Sequence, residues 1–115
     1  MRAVVFGGRD YQDRVRLFYE LDRIGELFDI SCVISGMAAG ADSLAISWAS
    51  KWDLQVVLFP ADWKKHGGSA GAIRNQQMID EGKPDLAVAF PGGNGTADML
   101  RRCKKASIRT IIIEK

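Results

Sequence analysis

The residues of this chain best suited to chemistry are Pro91-Gly92-Gly93-Asn94-Gly95-Thr96, three glycines in four positions running into a threonine. Glycines let backbone N–H groups approach an anion, and a helix that follows adds unpaired N–H donors and the positive end of its dipole. The Thr96 hydroxyl adds one more donor. A tight turn with a helix cap would use one glycine and the threonine and would leave the remaining glycines without a role. The pattern therefore predicts a phosphate-binding turn made by Pro91, Gly92, Gly93, Asn94, Gly95 and Thr96.

Four other stretches hold candidates. Gly7-Gly8-Arg9-Asp10 sets a cation and a carboxylate beside a second glycine turn; Asp10 reads as a helix cap, and Arg9 as a cation facing an anion. Ser35-Gly36-Met37-Ala38-Ala39-Gly40-Ala41-Asp42 lies between a strand and a helix, but its G-x-x-x-G spacing is not that of a dinucleotide fingerprint. Its small residues fit close helix-to-strand packing as well as ligand approach, and Asp42 either complements the helix dipole or takes a ribose hydroxyl. Pro60 to Ser69 is a long connection of the kind used for binding loops, with Asp62, Trp63 and the single histidine, His66, able to stack on and hydrogen-bond a base, although a lone loop histidine reads equally as an exposed surface residue. Arg74 and Asn75 lie in the first turns of a third helix, where an arginine can grip a phosphate bidentately or lie on a solvated helix face. Arg101, Arg102, Lys104 and Lys105 fall late in the last helix, where cations suit the negative dipole end, and read as surface.

The elements that must position these residues follow from periodicity. Arg2 to Phe6, Ser31 to Ile34, Leu54 to Phe59, Leu86 to Phe90 and Thr110 to Ile113 are apolar and β-branched runs, so five strands are expected. Most lack alternation, as strands covered on both faces do. A first helix is expected from Asp10, with Leu17, Leu21, Ile24 and Phe28 on one stripe. A second carries Ala41, Leu44, Ala45, Trp48 and Trp52. A third runs from about Gly71 to Glu81 with Ile73, Met78 and Ile79, stopped by Gly82 and Pro84. A fourth opens at Thr96 and buries Met99, Leu100, Cys103 and Ala106. Strict β-α alternation with right-handed crossovers predicts an α/β, Rossmann-like, doubly wound three-layer sandwich over residues 1–115, a single domain with a five-stranded parallel sheet in the order 3-2-1-4-5. In that order the turns after the first and fourth strands share the switch-point crevice, where open α/β sheets bind ligands.

Composition excludes several classes of function. The 115 residues are 47% hydrophobic and 26% charged, which suits one globular domain and neither disorder nor membrane insertion. The opening residues read as a strand and not as a leader, so a cytoplasmic protein is expected. Cys32 and Cys103 lie in apolar patterns without metal or redox spacing and read as buried free thiols; neither a metal nor a cofactor is called for. A net charge of +2 is modest, so nucleic acid is not the expected partner. Self-association is expected from the closing Ile111-Ile112-Ile113 edge strand, and from Trp48 and Trp52 if the core is too small to bury both.

Taken together, Gly7 to Tyr11, Ser35 to Asp42 with Leu44-Ala45, Pro60 to Trp63, Ala70-Gly71 with Arg74-Asn75, and Ala89 to Gly93 leading into Gly95-Thr96 closely resemble the YspA/YpsA-related branch of the SLOG superfamily, which also contains Smf/DprA DNA-processing proteins and Lonely Guy phosphoribohydrolases. The resemblance spans nearly the whole chain. It implies a Rossmann-like domain that senses or processes nucleotides or molecules derived from them. Lonely Guy enzymes cleave the N-glycosidic bond of a nucleoside monophosphate with a Pro-Gly-Gly-x-Gly-Thr-x-x-Glu motif and an upstream arginine. By resemblance, Arg74 matches that arginine, and Gly92, Gly93, Gly95 and Thr96 match the phosphate loop. The glutamate position holds Met99, whose thioether can neither stabilise an oxocarbenium-like centre nor take a proton from water. Asp10, Asp42 and Asp98 are the carboxylates left to replace it, and Asp98 is turned about 100° from Met99 around a helix.

Three functions are thus in play. The leading one is binding of a nucleotide-type small molecule, with Gly7, Gly8, Arg9, Ser35, Gly36, Asp62, Trp63, Arg74, Asn75 and the Pro91 to Thr96 turn as ligand-binding residues. The alternative is hydrolysis of a nucleoside monophosphate, with Arg74, Asp10 and Asp42 as catalytic residues. The third is binding of single-stranded DNA in the manner of DNA-processing proteins, against which the low net charge weighs.

Overall fold

A computed structural model describes residues 1–114 of the chain. Its strands are β1 (Arg2–Phe6), β2 (Cys32–Ser35), β3 (Gln55–Leu58), β4 (Leu86–Ala89) and β5 (Arg109–Ile112), and its helices are α1 (Arg14–Phe28), α2 (Ala41–Lys51), α3 (Trp63–His66), α4 (Ala70–Asp80) and α5 (Asn94–Lys105). The strands form one parallel sheet in the order β3-β2-β1-β4-β5, as the β-α alternation predicts. Register places Val4 beside Ile34 on one side and beside Ala87 on the other.

Successive side chains of a strand point to opposite faces, and β1 divides its own between two cores. Ala3 and Val5 join Leu17, Leu21 and Ile24 of α1 and Ala45 and Trp48 of α2. Val4 and Phe6 join Met78 of α4 and Met99 and Cys103 of α5. The sheet is therefore covered by α1 and α2 on one face and by α4 and α5 on the other, which is why β1, β2 and β4 read as unbroken apolar runs. Cys32 and Cys103 are buried free thiols, and burial pushes Cys103 up to about 11. No helix among the described residues is long and apolar enough to cross a membrane.

The structure corrects several local expectations. Asp10 does not cap the first helix: α1 begins at Arg14, and the cap is Asp13, whose carboxylate accepts the Arg16 N–H at 3.0 Å. Three residues of extra loop are thereby released at the mouth of β1. The last helix starts at Asn94 rather than Thr96, and Ala106 is its exposed C-cap instead of a core residue. Trp48 is buried after all, whereas Trp52 ends α2 and stands exposed; both indole N–H groups donate to the same Asp22 oxygen, at 2.8 and 2.9 Å. Ile73 faces solvent. The connection from Pro60 to Ser69 contains the one-turn helix α3, capped by Asp62, and a 3-10 turn over Gly67–Ser69.

Candidate functional site

Three strand-to-helix turns converge at the carboxyl edge of the sheet, after β1, β2 and β4. Each presents backbone N–H groups, so the question of which can bind an anion reduces to where those donors already go.

In the turn after β1 the Gly8 and Tyr11 N–H groups are spent on the protein. The Gly8 N–H donates to the Pro91 carbonyl at 2.9 Å, and the Gly8 carbonyl accepts from Tyr11 at 3.1 Å and from Ala41 at 3.2 Å. One residue thus ties all three turns together. The backbones approach so closely that a Cβ on Gly7 would lie 2.8 Å from that of Ala41 and 2.9 Å from that of Phe90. Gly92 is excluded from carrying a side chain in the same way, by the Gly8 nitrogen at 2.6 Å and the adjacent Thr96 hydroxyl.

The turn after β2 is filled from within. Gly40 has φ +75° and faces the Gly8 carbonyl, so it meets both a backbone and a packing demand for glycine. Asp42, 4% exposed in the first turn of α2, lays its carboxylate back over the turn and accepts the Ala38 N–H at 3.2 Å. The Ser35 hydroxyl accepts the Met37 N–H at 3.2 Å. A negative charge of the chain itself occupies this helix start. Burial pushes Asp42 up to about 6, against the opposing pull of the Ala38 N–H, the Arg74 charge and the Gly36 backbone.

The turn after β4 is different. No side chain caps α5 at Gly93, and the first backbone N–H to return to the turn is that of Ala97, to the Gly93 carbonyl at 3.0 Å. The N–H groups of Asn94, Gly95 and Thr96 have no partner among the described residues, as the first turn of any helix leaves them. A Cβ on Gly93 or Gly95 would meet nothing within 4 Å, and neither glycine has positive φ. Thr96, 9% exposed, holds its hydroxyl beside Gly92 without a partner among the described residues.

These turns and α4 enclose a cleft of about 930 Å³ lined by Arg9, Asp10, Tyr11, Asp42, Trp63, Arg74 and the Pro91 to Thr96 turn, among others. That volume is within the range of small-molecule sites, towards the large end. Arg74 crosses its floor, donating Nη1 to the Gly36 carbonyl at 2.5 Å and Nε to Asn75 Oδ1 at 3.1 Å. Burial lowers its pKa, an effect that Asp42 opposes and Arg9 reinforces, so two guanidiniums feel one another in the cleft. Trp63 is 53% exposed, with its ring edge over Gly71. Tyr11 packs at a tilt against Phe90, with ring centroids 5.5 Å and planes 49° apart, and burial raises its phenol pKa.

Of the residues singled out from the sequence, the structure brings Gly7, Gly8, Arg9, Asp10, Asp42, Trp63, Arg74, Asn75 and Pro91 to Thr96 to this cleft. Ser35, Gly36 and Asp62 are not among its lining. Ser35 is buried under α2, Gly36 seats the Arg74 guanidinium, and the Asp62 carboxylate is committed to the Lys65 N–H at 3.1 Å. His66 also lies off the lining. Asp10 is exposed at the rim, and Asp98 is engaged by Arg102 at 2.8 Å, which holds its carboxyl below the usual range. Tyr11 entered the sequence reading only through the resemblance of Gly7 to Tyr11 and was not named as a site residue, although an aromatic directly after a Gly-Gly-Arg-Asp turn is a signal. Among the described residues no cluster of three or more His, Cys, Asp or Glu could hold a metal.

The family model described as the YspA, cpYpsA-related SLOG family matches residues 1–66, from β1 through α3. The Gene 61 protein of Mycobacterium phage D29 is 34% identical over 118 aligned positions, which cover 96% of this chain and 94% of the phage protein.

Proposed function

Since the chain belongs to the YspA, cpYpsA-related SLOG family, we propose that its cleft binds a nucleotide or nucleotide-derived small molecule, with the phosphate at the start of α5. The observation that carries this reading is the pair Gly93 and Gly95. Neither sterics nor backbone dihedral demands glycine there, yet both border the cleft beside free N–H groups. Space kept clear at a helix start whose first-turn donors are unspent and which carries no acidic side chain suits a phosphate. Arg74 and Arg9 neutralise its charge, and the exposed Trp63 offers a flat surface to a base.

Calorimetric titration against nucleoside mono- and diphosphates, cyclic dinucleotides and inorganic phosphate tests the reading. Saturable heat with at least one phosphate compound, lost in Gly93→Asp, is the expected result. Absence of binding across the whole set would end the proposal.

A second reading, hydrolysis of a nucleoside monophosphate, is favoured by Asp42. It is the buried carboxyl of the cleft, lies in the field of Arg74 and is pushed by burial up to about 6, where it can serve as acid and base in turn. Protonated, it delivers its proton to the departing base nitrogen; ionised, it takes one from the water that adds to C1′. Base release from AMP, followed by chromatography and abolished in Asp42→Asn, separates hydrolysis from simple binding. Single-stranded DNA binding gains nothing from the geometry, because the α5 basic residues cluster at its far end.

A further inference from the structure

Asn75 is the buried polar side chain of α4, 6% exposed, and the two anion-facing parts of the cleft meet on it. Its Oδ1 accepts the Arg74 Nε–H at 3.1 Å; its Nδ2 donates to the Gly95 carbonyl at 3.4 Å and to Asp98 Oδ2 at 3.0 Å. A carboxamide carries two N–H donors, so these bonds consume both. Reversing the amide would set NH2 against the Arg74 donor and oxygen against two acceptors, so its neighbours fix one orientation. Asn75 therefore has no hydrogen left to offer a ligand, and its place in the site needs another explanation.

The bonds extend outward on both sides. Asp98 is held by Arg102 Nε at 2.8 Å and by Arg101 at 3.4 Å, while Arg102 Nη1 reaches back to Gln76 of α4 at 3.0 Å. On the other side Arg74 is anchored to the Gly36 carbonyl. A continuous set of bonds thus joins the turn after β2, the start of α4 and the start of α5. A guanidinium on a long flexible stem loses rotamer entropy when it grips an anion, and fixing it beforehand removes that cost from binding.

We infer that Asn75 is a positioning residue that locks the Arg74 guanidinium to the Gly95 turn, so that a side-chain cation and a helix start from separate elements act as one preformed phosphate clamp. The inference rests on the phosphate reading above. It assigns to Asn75 no contact with the ligand, and it makes the contributions of Arg74 and Asn75 interdependent.

The test is a double-mutant cycle on the full chain, with AMP affinity measured by calorimetry for wild type, Asn75→Ala, Arg74→Met and the double variant. Asn75→Ala is expected to weaken AMP binding at least tenfold alone, and less than threefold when Arg74 is already methionine. A merely structural cross-brace between α4 and α5 would weaken binding by the same factor in both backgrounds. Such additivity, or a loss below twofold in the single variant, overturns the inference while leaving the phosphate reading intact. If the wild-type protein binds no AMP, the cycle is run with the phosphate compound that binds in the titrations above, and absence of binding across that whole set ends the phosphate reading and the clamp together. Should Asn75→Ala not fold, Asn75→Ser takes its place in the cycle: it stays neutral and polar but is too short to join Arg74 to Gly95, and the same inequality is expected.

Discussion

The Asp42 carboxylate accepts the Ala38 backbone N–H across the turn after β2, at 3.2 Å. That bond fills a helix start that otherwise looks, by its glycines, as capable of holding phosphate as the one after β4. A second anion there would face a buried carboxylate at close range, and like charges at low dielectric repel strongly. The same carboxylate lies within the field of Arg74, so the charge that discourages phosphate at α2 helps to keep the arginine ionised.

Asp42 makes stability depend on pH in an unusual direction. Its folded pKa of about 6 lies above the ordinary 3.8, so the folded protein holds this proton more tightly than the unfolded chain does. Its contribution is present in full below about pH 4 and is lost as pH rises through about 6, amounting to about 3 kcal/mol in all. Urea unfolding of wild type and Asp42→Asn from about pH 4.5 to about 7.5 should show the wild type losing roughly 2 kcal/mol relative to the variant. A constant difference across that window would contradict the assignment.

The glycines divide into two experimental groups. Gly40→Ala places a Cβ at φ +75° against the Gly8 carbonyl and should cost at least about 2 kcal/mol in chemical denaturation. Gly93→Asp meets open space, so stability should stay within about 0.5 kcal/mol while phosphate binding weakens at least about tenfold through charge repulsion. Equal destabilisation of both variants would mean that Gly93 is scaffold too.

Restoring the Lonely Guy-type glutamate should not confer that chemistry. Met99 is 1% exposed and packs in the core with Val4, Phe6 and Cys103, so Met99→Glu buries a carboxylate among apolar groups. A loss of about 3 kcal/mol or more is expected, without gain of base release from AMP, whereas Met99→Leu should cost under about 1.5 kcal/mol. Urea unfolding and chromatography check the two halves separately.

Trp63 should report the base. At 53% exposure its removal leaves the core untouched, so Trp63→Ala is expected to change stability by under about 0.5 kcal/mol. Stacking of a base is worth about 1–3 kcal/mol, so AMP affinity should fall about fivefold or more. Quenching of tryptophan fluorescence by AMP, absent in Trp63→Ala, would be the direct signature; equal quenching in both proteins would remove Trp63 from the site.

How much of this is legible in the sequence differs by level. The strand order follows from β-α alternation and from apolar runs such as Leu86 to Phe90, because handedness and burial on both faces leave few arrangements open. The placement of two glycine turns at one crevice follows from that order. Helix starts are less legible: Asp10 and Asp13 are equally good caps by type, and only the path of the chain over the sheet selects Asp13.

The sequence by itself determines the doubly wound sheet, the edge at which a ligand would sit and the residues Arg74 and Gly92 to Thr96 as its candidates, since periodicity and turn chemistry are local properties. Only the tertiary structure decides which glycine turn keeps its donors free. That depends on hydrogen bonds between residues far apart in the chain, the Gly8 N–H to the Pro91 carbonyl and the Ala41 N–H to the Gly8 carbonyl. A backbone N–H can be spent only once, and its partner is chosen by the packing of the whole fold.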